Sequence, residues 1–235
     1  MRIINIGNRV VNNYLLHTPK GWLAIDTGYP GSFKRFIDKL SSYSIDISEI
    51  KYIFLTHAHD DHAGFLGELL NATDAKLIVH PDSVQRLLIG QNKRIGGCSS
   101  IIAKIFVESM RFVGKGKHVF PALNVSRRAL IWDGTTQLLF DQDIPLQIIA
   151  LPGHTSDSIG LLSEEGELFC GDAAMNGFPS INRTIIWIEN LHDYCVSWET
   201  MIQSNAKYIY PSHGKPFPRT DLEKYRPYLD SIILR

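Results

Sequence analysis

Apolar runs of strand length alternate with glycine-bearing polar turns along most of the chain, and this alternation is the first guide to its architecture. The spacing predicts strands over residues 2–6, 13–16, 22–25, 52–55 and 77–79 in the first half, and over 146–151, 158–162, 168–170 and 208–210 in the second. Between strands, Phe33, Phe36, Ile37 and Leu40 recur at helical spacing. Phe65, Leu66, Leu69 and Leu70 mark a helix beginning near Gly64, and residues 221–233 form a closing helix. Such stripes are core faces rather than binding surfaces. The order suits an α/β chain in which two β-sheets pack face to face with helices outside.

The polar residues that interrupt this pattern are unevenly spread. Directly after Tyr52-Ile53-Phe54-Leu55 comes Thr56-His57-Ala58-His59-Asp60-Asp61-His62-Ala63-Gly64, with three imidazoles and two carboxylates in six consecutive positions. Packing needs nothing of the kind, whereas a metal ion takes imidazole nitrogen and carboxylate oxygen as donors. If the chain leaves the strand in extended form, His57 and His59 point to one side and hold one ion together. Asp61 and His62, at the start of a helix, then aim at a second ion nearby. Three later strand ends carry further donors: Pro152-Gly153-His154-Thr155, Gly171-Asp172-Ala173 and Pro211-Ser212-His213-Gly214. A lone histidine after a strand is more often a hydrogen-bonded structural residue. Four donor-bearing strand ends in one chain outweigh that reading.

These motifs resemble the metallo-β-lactamase superfamily. Its His-x-His-x-Asp-His element, later Gly-His-Thr, Gly-Asp and final Ser-His-Gly elements are all present, preceded by Leu23-Ala24-Ile25-Asp26-Thr27-Gly28. Asn13-Tyr14-Leu15-Leu16 is similar to the family's first core strand, and the resemblance runs from about Ile3 to Pro216. It implies a single domain over residues 1–235 with a four-layer αββα sandwich of two mixed sheets, the metals lying at one sheet edge. It also implies that His57, His59 and His154 bind one metal, that Asp61, His62 and His213 bind another, and that Asp172 bridges them. Asp26 would lie beneath the site and orient a ligand; the competing reading is an ordinary turn residue before Gly28. Asp60 has no ligand counterpart and is left to a supporting or solvent-facing role.

The implied chemistry is that of a binuclear metal hydrolase. Mixed histidine and carboxylate ligands suit zinc best and also accept iron or manganese. Two such ions roughly 3.5–4 Å apart share a bridging water whose pKa falls from ~15.7 toward ~7, so a hydroxide is available at neutral pH. It would attack a small ester, lactone, thioester or amide, with Asp61 helping to carry the proton. No serine nucleophile is needed, and Gly-x-Ser-x-Gly is absent. Two alternatives stand beside this one: oxygen chemistry on a single iron, as in the persulfide dioxygenases that share the fold, and phosphodiester hydrolysis.

Composition narrows the classes. The 235 residues are 44% hydrophobic and 20% charged, enough to bury a substantial core, and the net charge of zero gives no global pull toward nucleic acid. No segment has the length and apolarity of a signal or membrane span. Cys98, Cys170 and Cys195 form no Cys-x-x-Cys pair, so a reducing cytoplasm is the simpler expectation. A small-molecule substrate fits this balance better than a nucleic acid.

One segment departs from the average. Between Gln85 and Arg128 nine basic residues face the single acid Glu108, a net +8, so the rest of the neutral chain carries −8. Within it, Ile101, Ile102, Ile105, Phe106, Phe112 and Val113 make one apolar helical face, with Lys104, Glu108 and Arg111 off it. Gly96-Gly97 before and Gly114-Lys115-Gly116 after give flexible joints. Either this face completes the core, or the segment is a lid or insertion that meets an anionic or amphiphilic substrate, or the second subunit of a homodimer. Weak membrane contact is also open.

Comparison with the family's branches works by exclusion. Asp172 stands where one branch of true β-lactamases has a cysteine, which argues against antibiotics as the main substrate. The glutathione thioesterases carry a helical domain after the last histidine, and only about a helix follows His213 here. The N-acyl homoserine lactonases place a tyrosine three residues after the bridging aspartate, where this chain has Met175. The nuclease branches append an RNA-binding arm or a second domain, for which 235 residues leave no room.

Overall fold

The computed structural model describes residues 1–114, 117–125, 127–135 and 137–235. Lys115 and Gly116 of the expected second joint lie outside the described residues. The chain folds as two compact units, one of residues 1–92 with 119–146 and one of residues 93–118 with 147–235. Residues 85–128 are therefore shared between the two.

In chain order the elements begin with β1 (Ile3–Asn5), β2 (Tyr14–Thr18), β3 (Gly21–Ile25), α1 (Phe33–Ser42), β4 (Ile50–Phe54), α2 (Leu66–Ala72), β5 (Lys76–Val79) and α3 (Pro81–Ile89). Next come β6 (Gly97–Cys98), α4 (Ile101–Phe112), β7 (Ala129–Ile131), α5 (Gln137–Phe140), β8 (Leu146–Ala150), β9 (Ile159–Ser163) and β10 (Glu167–Gly171). The chain closes with β11 (Trp187–Ile188), α6 (Leu191–Gln203), β12 (Tyr208–Pro211), β13 (Phe217–Pro218) and α7 (Thr220–Leu229).

The first unit is built on a six-stranded mixed sheet in the order β1-β2-β3-β4-β5-β7. Strands β1 to β3 pair antiparallel, and β3, β4, β5 and β7 run parallel. Ile53, Phe54, Leu77, Ile78 and Val79 are all buried, as unbroken apolar runs in covered parallel strands should be. Phe36 and Leu40 of α1 and Leu66, Leu69 and Leu70 of α2 supply the helical side of the same core.

The second unit has a five-stranded mixed sheet in the order β13-β12-β10-β9-β8 and a small pair β11-β6. Its core gathers on α6, whose Tyr194, Trp198 and Met201 are fully buried against Leu151, Leu168 and Ile209. Helix α6 is missing from the elements expected above, although Leu191, Tyr194, Cys195, Trp198, Met201 and Ile202 repeat at helical spacing and Asn190 caps its first turn. The mixed sheets and flanking helices are the α/β class that the sequence implies.

Several expectations need correction. Gly96-Gly97 is no free joint: Gly97 lies in β6 paired with Ile188, and a side chain at Gly96 would sit 1.9 Å from the Ile188 carbonyl oxygen. The closing helix stops at Leu229 rather than 233, because the residues after it run back to β6, where Cys98 and Arg235 exchange both backbone hydrogen bonds (2.9 and 3.1 Å). Nor does the segment's apolar helical face complete the core; in α4 only Ala103 is buried. Two basic residues of 85–128 serve the first unit's structure. Arg86 is buried, and Arg128 donates to the carbonyls of Leu70 and Thr73 (2.6 Å to the latter) at the end of α2.

Candidate metal centre

Parallel strand ends set the first donor group. Because β3 and β4 run side by side with Ile25 opposite Phe54, the chain leaves both strands at one edge, where ligands collect in α/β sheets. Asp26 follows at once, its backbone N–H donating to Phe54 O (2.9 Å) and its φ of +59° turning the carboxylate back under the next loop. There one oxygen accepts from Thr56 N–H (2.8 Å), while the other lies 2.8 Å from both Thr56 Oγ1 and His62 Nδ1. The group is buried, with Asp26 1% exposed. A carboxylate acceptor requires the proton of His62 on Nδ1, which leaves Nε2 with its lone pair. With the Thr56 hydroxyl donating to Asp26, His57 Nδ1 at 3.0 Å is the donor to Thr56 Oγ1, and the same tautomer follows. Sequence reasoning passed over Thr56, whose only signal was its place between a strand and a histidine.

The loop itself is tightly wound. His59 N–H donates to His57 O (3.2 Å), so the backbone turns over three residues instead of continuing extended, contrary to the sequence expectation. The rings nevertheless stay together: the centroids of His57 and His59 are 4.7 Å apart, and those of His57 and His62 4.0 Å. His62 Nε2 lies 3.5 Å from Asp61 Oδ1. Helix α2 begins at Leu66, after a turn in which Gly64 N–H donates to Gly28 O (2.9 Å). Asp60, left open by the sequence, is buried and exchanges two hydrogen bonds with Asn92 (2.8 and 3.1 Å), so it braces the loop.

A Cβ at Gly64 would lie 2.3 Å from Pro30 N, 2.4 Å from Gly28 O and 2.5 Å from Asp60 O, all backbone atoms that cannot swing aside. Gly64→Ala should cost about 3 kcal/mol of stability, seen in thermal unfolding as a midpoint lower by on the order of 10 °C. An unchanged midpoint would mean that the loop is looser than described.

The second unit supplies the other donors by the same device. Strands β10 and β12 are parallel with Gly171 opposite Pro211, and Ser212 N–H donates to Gly171 O (3.0 Å). Asp172 and His213 therefore emerge together, and Asp172 Oδ2 stands 3.4 Å from His213 Nε2. The same oxygen lies 3.5 Å from His154 Nε2. His154 leaves β8 through Gly153, whose φ of +128° and 2.3 Å approach to the Tyr194 backbone exclude any side chain. Its Nδ1 meets Trp187 O at 2.7 Å, again leaving Nε2 as the outward nitrogen. That partner is a backbone carbonyl, which no side-chain motif could have announced. Cys170 just before Asp172 is fully buried, and burial pushes its thiol up, so it stays a neutral packing residue. Met175 is likewise buried in the core.

The donor chemistry fits metal ions. Two ligands each about 2.0–2.1 Å from one tetrahedral ion stand about 3.4 Å apart, the separation seen in three of these pairs. Ring nitrogens held from behind by a carboxylate or carbonyl are the usual support of a metal-bound histidine. In the first unit the structure brings together His57, His59, Asp61 and His62 over Asp26; in the second, His154, Asp172 and His213.

Comparison with known proteins agrees with this geometry. The family model of the metallo-beta-lactamase superfamily matches residues 6–213, and the chain belongs to that superfamily. It is 31% identical over 226 residues to a beta-lactamase-like protein 2 homolog of Caenorhabditis elegans, covering 95% of this chain and 62% of that protein. It is 26% identical over 156 residues to a hydroxyacylglutathione hydrolase of Psychromonas ingrahamii, covering 61% of this chain and 45% of the other. The chain thus spans less than two thirds of either relative. Among solved structures, a metallo-beta-lactamase from Cronobacter sakazakii superposes with a TM-score of 0.69 at 19% identity, over 97% of this chain and 91% of that one. The fold is shared.

Proposed function

We propose that the two donor sets serve one binuclear centre and that the protein hydrolyses a small ester, lactone, thioester or amide. The observation that carries this is the orientation of His62 and His154, each tied at Nδ1 and each presenting Nε2 within 3.5 Å of a carboxylate oxygen. His57, His59 and His154 would hold one ion, and Asp61, His62 and His213 the other, with Asp172 shared. Zinc suits these donors best. When bound, such ions polarise the substrate carbonyl and acidify water to a pKa of about 7.

The chain's own residues do the rest. Asp26 and Thr56 fix the tautomers of His57 and His62. Asp61, only partly buried, is placed to accept a proton at its carboxylate. Asp172 keeps two imidazoles in register through one oxygen. Hydrolysis of an acyl compound is also what the name of the hydroxyacylglutathione hydrolase relative describes. A reducing compartment such as the cytoplasm suits the three free thiols, Cys98, Cys170 and Cys195. No helix among the described residues is long and apolar enough to cross a membrane.

The test is elemental analysis of untreated protein, joined to turnover of a panel of esters, lactones, thioesters including hydroxyacylglutathione, β-lactams and phosphodiesters. Two divalent ions per chain and cleavage of an acyl substrate are expected, with activity lost on chelation and restored by zinc. One iron per chain with oxygen consumption would replace this reading by the dioxygenase one. Cleavage confined to phosphodiesters would reject the substrate class.

A further inference from the structure

Helix α4 is turned inside out. On the side opposite its buried Ala103, Ile101, Ile105 and Phe112 are 54%, 60% and 93% exposed, and at 3.6 residues per turn these three fall on one narrow stripe. Phe178, 82% exposed on the loop after Met175, widens the apolar surface by meeting Phe106 edge-on at 6.0 Å. Glu108, the helix's single acid, falls at one edge of the stripe, and Lys104 and Arg111, two turns apart, lie just beyond it on the same side. Exposed Lys93 and Arg94 precede the helix and exposed Lys117 follows it.

Shape and charge choose the occupant. Sites for small ligands are concave, whereas Phe112 and Phe178 project. A second copy of the same face would bring like charges together, which is unfavourable. Apolar residues projecting from a cationic rim are what an anionic lipid surface accepts: rings enter the boundary between headgroups and acyl chains, and lysine and arginine meet the headgroups. We propose that this face of α4, with Phe178, docks on anionic bilayers.

The face is braced to the donor loops of its own unit. Cys98, just ahead of the helix, pairs with Trp187, whose carbonyl holds His154, and Asn176, two residues before Phe178, donates its N–H to His213 O (2.8 Å). Docking does not depend on the metal reading and is tested without it.

The experiment is co-flotation of the intact chain with unilamellar vesicles of phosphatidylcholine alone or with about 30% phosphatidylserine, at low and high salt. Binding is expected only with phosphatidylserine and should weaken with salt. Lys104→Glu with Arg111→Glu should lower the partition coefficient by about 25-fold or more, at about fivefold per basic residue. Phe112→Ser with Phe178→Ser, at exposed positions that leave the circular dichroism unchanged, should lower it at least tenfold. Equal binding to both vesicle types, or variants that bind like the parent, would overturn the proposal. So would an absence of vesicle binding together with a dimer in sedimentation velocity that the double phenylalanine variant dissolves, which would assign the face to a second copy.

Discussion

Asp172→Ala is expected to remove turnover of the best acyl substrate almost entirely, with kcat/KM lower by at least about 10³-fold, a loss of about 4 kcal/mol in transition-state stabilisation. The reason is local. Asp172 is the one carboxylate in its donor set, and a single oxygen of it stands 3.4–3.5 Å from the Nε2 atoms of both His213 and His154. Without it the set keeps two imidazoles and no negative charge to hold a divalent cation, so metal content should fall from the proposed two ions per chain to one or fewer. The fold should survive. The turn around residue 172 is held by backbone bonds, Ala173 N–H to Cys170 O (3.1 Å) and Ser212 N–H to Gly171 O (3.0 Å), which alanine leaves intact. Metal analysis, turnover and the unfolding midpoint of one preparation decide the matter. Full activity with full metal content would remove Asp172 from the centre.

What the sequence made legible follows from which groups carry information in their side chains. Strands β4 and β5 could be located because covered parallel strands are apolar at nearly every position, and the donors could be listed because a carboxylate or imidazole after a strand is conspicuous. The supports were harder to see. Trp187 holds His154 through its carbonyl, a group that every residue owns, and Asn92 reaches Asp60 across a separation of 32 residues. Helical period in α4 was readable, but period says only that a face is apolar and is silent on whether that face looks inward. Gly96-Gly97 misled for a related reason: glycine marks both a loose joint and a place where another backbone comes too close for a side chain, and Ile188 O beside Gly96 makes it the second.

Asp26→Asn tests whether the buried carboxylate acts through His62 rather than on substrate. The substitution keeps the volume, and asparagine tolerates the φ of +59° better than most residues, so backbone strain is not what changes. Asparagine has one acceptor oxygen where aspartate has two. Turned toward Thr56 N–H, its amide nitrogen confronts His62 Nδ1–H; turned toward His62, it confronts Thr56 N–H instead. In the first case His62 relieves the clash by moving its proton to Nε2, the nitrogen a metal would need. Affinity for the more weakly held ion should fall about 10–100-fold, and a donor left unpaired at a fully buried position should cost about 1–3 kcal/mol of stability. Competition with a chromogenic chelator measures the first effect and thermal unfolding the second. Because the lesion is in orientation and not in the donor set, excess zinc should recover much of the lost turnover in Asp26→Asn and little in Asp172→Ala. Metal affinity equal to that of the parent protein, with turnover equally unchanged, would reduce Asp26 to a turn residue that merely touches His62.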